Sequence, residues 1–155
     1  MKKYELTEET VTVYGKTLYR IRAVRDFGSV KTGEFGGYIE KEENLSHFDN
    51  AWVCGDAWVF GNARVYDDAW VSGNAEVFNT RHFFVQGPIG SRNGFITFYR
   101  TKDNTVEVRC GCFSGSLQKF VDRVEETHGG SRYEKEYKLA AELAKVCIRL
   151  EGESR

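Results

Sequence analysis

From Asn50 to Asn79 the chain repeats a six-residue unit almost without error: NAWVCG, DAWVFG, NARVYD, DAWVSG, NAEVFN. In each unit an Ala and a Val stand two residues apart (Ala51/Val53, Ala57/Val59, Ala63/Val65, Ala69/Val71, Ala75/Val77). Both therefore point to one side of a short strand, and the residue between them points to the other. After each Val comes one variable residue and then a pair such as Gly55-Asp56, Gly61-Asn62 or Gly73-Asn74, the residue types that turn a chain sharply. A strand of two or three residues with a corner every six predicts a β-helix, in which coils stack and bury a column of small apolar side chains.

The phase extends back from Ala51 to Leu45 and Ile39, so the repeat covers 39–79, a little over two coils of 18 residues. In this register His47 lies under Val65 and Lys41 under Val59. Both are expected to cap the open end of the core, with a pocket lined by His47 as the alternative. Outward residues 18 apart share a face: Trp52 with Trp70, Phe60 with Phe78, and Phe48 with Tyr66 and Phe84. A bare two-coil prism leaves these rings in water, which marks an interface. Trp52, Trp58, Trp70, Phe60, Phe78 and Tyr66 are the expected interface residues, covered by flanking segments and other copies of the chain. A ligand shelf on Trp52, Trp58 or Trp70 is the minority alternative.

Before the repeat, Thr10 to Tyr14 and Thr17 to Val24 read as two strands joined at Gly15-Lys16. Arg20 and Arg22 share a face of the second strand, either solvated or forming an anion-facing patch with Arg25. The glycine-rich FGSVKTGEFGG (27–37) leads into the first coil. After the repeat, His82 to Gln86, Gly94 to Thr101 and Thr105 to Phe113 read as strands. A helix follows from Ser116 to His128, with Leu117, Phe120, Val121 and Val124 on one stripe. A second helix opens on the capping box Ser131-x-x-Glu134 and runs to about Leu150. The expected organisation is a hairpin and lead-in over 1–36, the repeat over 37–80, and a strand-strand-helix-helix module over 81–155.

A net charge of −1 argues against a general nucleic-acid binder that works by phosphate neutralisation. The four cysteines have no C-x2-C spacing, and Cys110-x-Cys112 supplies two thiols at most, so no metal and no cofactor are expected. No run of eighteen apolar residues and no signal peptide is visible, so no membrane association is expected and the cytoplasm is the expected compartment. Two stretches suit an anion. The loop Gly87 to Gly94 carries Arg92, Asn93 and glycine N–H groups. Ser114-Gly115-Ser116 opens a helix with Arg109 just upstream. The expected anion-binding residues are thus Arg92, Asn93, Arg109, Ser114 and Ser116. Among the histidines, His82 is the best candidate base, but no trio of nucleophile, base and orienter stands out and no catalytic residue is assigned.

The Ala-x-Val-x-Gly-(Asn/Asp) spacing resembles the hexapeptide repeat of left-handed parallel β-helices. Together with the Tyr19 to Ala23 strand and the stretch from Gly90 to Gly129, it makes nearly the whole chain similar to short phage and prophage proteins with the same repeats and a C-terminal strand-strand-helix-helix module. The resemblance implies a mainly β fold with an α+β tail: a short left-handed parallel β-helix of about two coils between an N-terminal β-hairpin and a ββαα module. It implies a homo-oligomer, most often a trimer in hexapeptide-repeat proteins, in the cytoplasm of a bacterial host. It implies no agreed catalytic residues. The expected function is non-enzymatic binding in phage counter-defence, by sequestering a nucleotide-type signal or blocking a host defence protein. An acyltransferase-like enzyme and a structural interaction module are the alternatives.

Overall fold

The structure is a computed structural model and describes residues 2–111 and 113–152. The chain forms two compact units, Met1–Thr80 and Arg81–Arg155.

In the first unit β1 (Tyr4–Val13) and β2 (Lys16–Ala23) form an antiparallel hairpin, and β3 (Phe35–Ile39) adds antiparallel to β2. The hairpin turns one residue earlier than the sequence implied. Tyr14 and Gly15 both take positive φ, 50° and 77°, the backbone of a tight primed turn that matches strand twist. The repeat supplies four two-residue strands: β4 (Trp52–Val53), β5 (Trp58–Val59), β6 (Trp70–Val71) and β7 (Glu76–Val77). β5 pairs in parallel with β3 and β7, and β4 pairs in parallel with β6. The sheets run β1-β2-β3-β5-β7 and β4-β6.

This corrects the expected left-handed β-helix. The chain is mixed α/β, with eleven strands in three sheets among the described residues and two helices at the C-terminal end. Two coils are too few to build a solenoid of their own. Each of the strands β4 to β7 is two residues long, and the larger sheet holding β5 and β7 is completed by β1 and β2 of the N-terminal hairpin and by β3, two of its pairings being antiparallel.

All ten Ala and Val residues of the repeat are buried. The corners fall at Asp49, Gly55, Gly61, Asp67 and Gly73, every one with φ between 54° and 62°. That left-handed conformation is natural for Gly and tolerable for Asp, which is why those types recur every six residues.

The first coil departs from the extrapolated phase. Ile39 pairs with Val59 and Leu45 bridges to Val65, a spacing of 20 residues rather than 18, so Lys41 and His47 do not occupy the positions under Val59 and Val65. The two extra residues fall between Leu45 and Val53, a stretch of eight residues where Val65 to Val71 takes six. His47 instead stacks on Tyr4 at 4.1 Å. Its Nδ1 accepts from the Lys3 backbone N–H at 3.0 Å, and its Nε2 lies 2.8 Å from Glu42 Oε1. Lys3 is fully buried below the coil, its ammonium donating to the carbonyls of Ala51 (2.6 Å) and Phe48 (3.3 Å).

In the second unit β8 (Phe83–Ile89), β9 (Gly94–Arg100), β10 (Val106–Cys110) and β11 (Phe113–Ser116) form an antiparallel sheet in the order β11-β10-β9-β8. The strand β11 was expected to be only a lead-in to the helix. The sheet carries α1 (Leu117–His128) and α2 (Arg132–Cys147). Ile96, Phe98 and Val108 form one core with Phe120 and Val124 of α1 and Tyr137, Ala140, Ala141 and Ala144 of α2. The capping box at α2 is not made as expected. Ser131 Oγ donates to the His128 carbonyl at 2.7 Å, while Glu134 accepts from the Gly130 N–H at 3.0 Å.

Candidate functional site

A cleft of about 420 Å³ opens in the second unit beside the loop after β8. Its apolar wall includes Phe95, Phe113 and Phe120, and its polar lining includes Ser91, Arg92, Cys110, Arg123, Thr127, His128 and Tyr137. No Asp or Glu is part of that lining among the described residues.

The loop is held from behind by α2. Gly90 donates its N–H to Glu136 Oε1 at 2.7 Å, and Ser91 donates its N–H to the Tyr137 hydroxyl. Gly90 has φ +79°, and a Cβ there would lie 1.8 Å from Tyr137 Oη, so only glycine lets the loop sit against this ring. These contacts revise the expected phosphate nest, because two of the N–H groups proposed for an anion already serve Glu136 and Tyr137. Asn93, at φ 52°, forms the tip turn and donates its N–H to the Gly90 carbonyl at 3.2 Å. Arg92 remains as the loop's charged contribution to the cleft.

The remaining cation is one that the sequence reading missed. Arg123 projects from α1 with its guanidinium 5.7 Å from the Phe113 ring centroid. A guanidinium carries five N–H donors in a planar fork, a geometry that suits an anion. Among the described residues neither Arg92 nor Arg123 is paired with a carboxylate. The His128 ring lies 5.5 Å from the Tyr137 ring and 5.8 Å from the Tyr133 ring. Burial pushes the Cys110 thiol up from its ordinary value. The Tyr137 phenol is also raised, first by burial and then by its neighbour Cys110. Both stay protonated near neutral pH, so neither brings a negative charge into the cleft. A protonated thiol is also a poor nucleophile.

The expected anion residues do not come together. In the β10–β9 and β10–β11 registers Arg109 stands opposite Thr97 and Ser114, whereas Cys110 stands opposite Ile96 and Phe113. Successive strand residues face opposite ways, so Arg109 and Ser114 lie on the sheet face away from Cys110 and the cleft. Arg109 Nε donates to the Gly111 carbonyl at 3.3 Å. Ser116 Oγ caps α1 by accepting from the Lys119 N–H at 3.2 Å, and Ser116 stands opposite Glu107 in β10. Arg92 alone of the five expected residues, with its neighbour Asn93 shaping the turn, belongs to the cleft. Helical spacing could have found Arg123 and Thr127, which lie three and seven residues beyond the buried Phe120 on the same side of α1.

The other expected sites resolve as follows. Arg20 is satisfied by Glu9 (2.9 Å), Asp56 (3.2 Å), the Tyr38 hydroxyl (2.8 Å) and the Gly36 carbonyl (2.9 Å). Arg22 pairs with Glu5, and Arg25 donates to the His47 carbonyl, so the three arginines form no open patch. His82 is buried, and burial together with the Arg100 charge lowers its pKa to about 4; so weak a base, shielded from solvent, is poorly suited to proton abstraction. Cys112 lies outside the described residues, so the pair with Cys110 is not described.

Of the six expected interface aromatics, Trp52 and Phe60 are buried in the first unit itself. Phe27 packs edge-on against Trp52 at 5.1 Å. Phe60 stacks on Phe78 at 5.1 Å and sits in a cluster with Val13 and Leu18 of the hairpin, against which Trp58 and Phe78 also pack. Within this unit Trp52 and Phe60 are thus core residues, covered by the flanking N-terminal segments. Trp70 is half-buried and donates its indole N–H to the Asn50 carbonyl at 3.1 Å. Tyr66 is about half exposed (49%).

No known family model and no curated protein sequence matches this chain. Among the described residues no helix is long and apolar enough to cross a membrane.

Proposed function

We propose that the protein is a non-enzymatic binding protein that sequesters a small nucleotide-type anion in the cleft of its second unit. One observation carries this reading: the cleft has two guanidiniums, Arg92 and Arg123, without carboxylate partners among the described residues, and aromatic walls. Its volume falls in the usual small-molecule range of about 300–1,000 Å³. Phosphate meets guanidinium through charge-assisted hydrogen bonds, and a base meets Phe rings by stacking.

Phage counter-defence in the bacterial cytoplasm is the setting that the resemblance implies, with a homo-oligomer as the working form. The test is calorimetric titration with cyclic nucleotides and cyclic ADP-ribose isomers, followed by release of the ligand by heat. Recovery of the intact compound supports sequestration. A cleaved or acylated product moves the assignment to an enzyme, and absence of binding moves it to a protein target. Arg123→Ala is expected to weaken binding about ten- to a hundredfold, the loss of one charge-assisted bond of roughly 1.5–3 kcal/mol, with an unchanged melting temperature. Native mass spectrometry of protein from host cells reports subunit number and any retained ligand together.

A further inference from the structure

The cleft also constrains the size and parts of its ligand. We infer that it takes a single nucleoside 5′-phosphate, its phosphate shared by Arg92 and Arg123 and its base laid against Phe95, and that a second nucleotide finds no seat in it. This inference rests on the sequestration reading and sharpens it.

Capacity is the first argument. About 420 Å³ is near the lower end for small-molecule sites. Space of that order suits one base, one sugar and one phosphate group, and a second nucleotide would have to hang in solvent. Fixed walls are the second. On one side the loop is pinned through Gly90 and Ser91 to Glu136 and Tyr137, and on the other Phe120 is buried against Phe98, Phe113 and Tyr137. The walls therefore have little freedom to widen for a larger guest. The third is division of labour. Both cations of the lining are guanidiniums, and the lining ring outside the core cluster is Phe95, about two-fifths exposed. Arg123 lies over Phe113, so the charged and aromatic parts of the site adjoin. The Thr127 hydroxyl and the His128 ring line the same space and offer hydrogen bonds to a sugar or to base edges.

The test uses the full chain and a fixed series of probes in calorimetry: inorganic phosphate, adenosine, AMP, ADP and a cyclic dinucleotide. AMP is expected to bind at least tenfold more tightly than either phosphate or adenosine. The cyclic dinucleotide is expected to bind at least tenfold more weakly than AMP. Phe95→Leu, at a partly exposed position, is expected to weaken AMP about tenfold, the scale of one lost base-stacking contact, and to leave phosphate binding unchanged. A dinucleotide that binds as tightly as AMP, or adenosine that does so, overturns this inference while leaving small-molecule binding in place. Failure of every phosphate-bearing probe, phosphate included, overturns the sequestration reading itself.

Discussion

The two units build their interiors by opposite means. The first stacks ten small Ala and Val side chains in register, all buried, with a left-handed residue at each corner. The second surrounds one ring: Phe120 meets Phe98 at 6.2 Å, Phe113 at 5.7 Å and Tyr137 at 5.8 Å, two of these contacts edge-to-face. Small side chains repeated along an axis close on one another. Large rings set edge to face leave space at the rim, and the cleft lies beside them. In this protein the repeated packing closes on itself, and the cleft opens where the packing is not repeated.

The sharpest way to break the contrast is to charge the repeated core. Val65→Asp puts an unpaired carboxylate at a fully buried position, a change expected to abolish soluble folded protein. Soluble protein with wild-type melting behaviour would show that the Ala and Val columns are not what holds the first unit. In the second unit the equivalent blow is Phe120→Ala, expected to cost about 3–5 kcal/mol. Amide exchange should then quicken in α1 and α2, and persistent protection there would contradict a core centred on this ring.

A smaller effect comes from buried bases, which act at opposite ends of the pH scale. Burial, followed by the Arg25 charge, lowers the Lys3 pKa from 10.5 to about 8. Between those values the unfolded chain keeps a proton that the folded chain has released, so raising the pH favours the folded state, by about 3 kcal/mol at most. Above pH 10 Tyr4 reverses the trend. Its phenol is raised first by burial and then by Glu42 and Glu43, so the unfolded chain loses that proton first. For His82, lowered from 6.5 to about 4, the unfolded chain binds a proton first as pH falls through that window. Stability therefore declines on the acid side, again by about 3 kcal/mol at most. Denaturant midpoints against pH should rise from pH 8 to 10 and fall from pH 6.5 to 4. Lys3→Met should flatten the first slope alone and His82→Gln the second.

The smallest predicted change concerns one corner. Asp67 has φ 57° where other units place Gly. Asp67→Gly is expected to shift stability by no more than about 1 kcal/mol, relief of left-handed strain being offset by the greater freedom of Gly when unfolded. A larger loss, measured by thermal melting, would assign the Asp67 side chain a bonding role of its own.

The sequence was informative where physics is local. Six-residue periodicity placed the Ala and Val residues inside and the corners at their positions, and helical spacing located α1. It failed where distant segments decide. Nothing in the repeat announces that Phe27 covers Trp52 or that the hairpin encloses Phe60. The coil from Ile39 cannot be seen to need two extra residues until Leu45 is placed against Val65. At the candidate site, strand parity alone would have separated Arg109 from Cys110. Arg123, by contrast, acquires its meaning only when α1 packs beside the loop carrying Arg92.

The anchoring of that loop has a consequence for evolution and for engineering. Its position depends on Gly90 and on backbone N–H groups received by Glu136 and Tyr137, and the Arg92 side chain takes no part in those bonds. The tip is thus interchangeable in a way that its base is not. Substitution at position 92 alters the lining of the cleft without breaking the bonds that seat the loop, whereas any side chain at position 90 would displace it. Variation at the rim of the cleft therefore has an address, an exposed residue on a fixed mount.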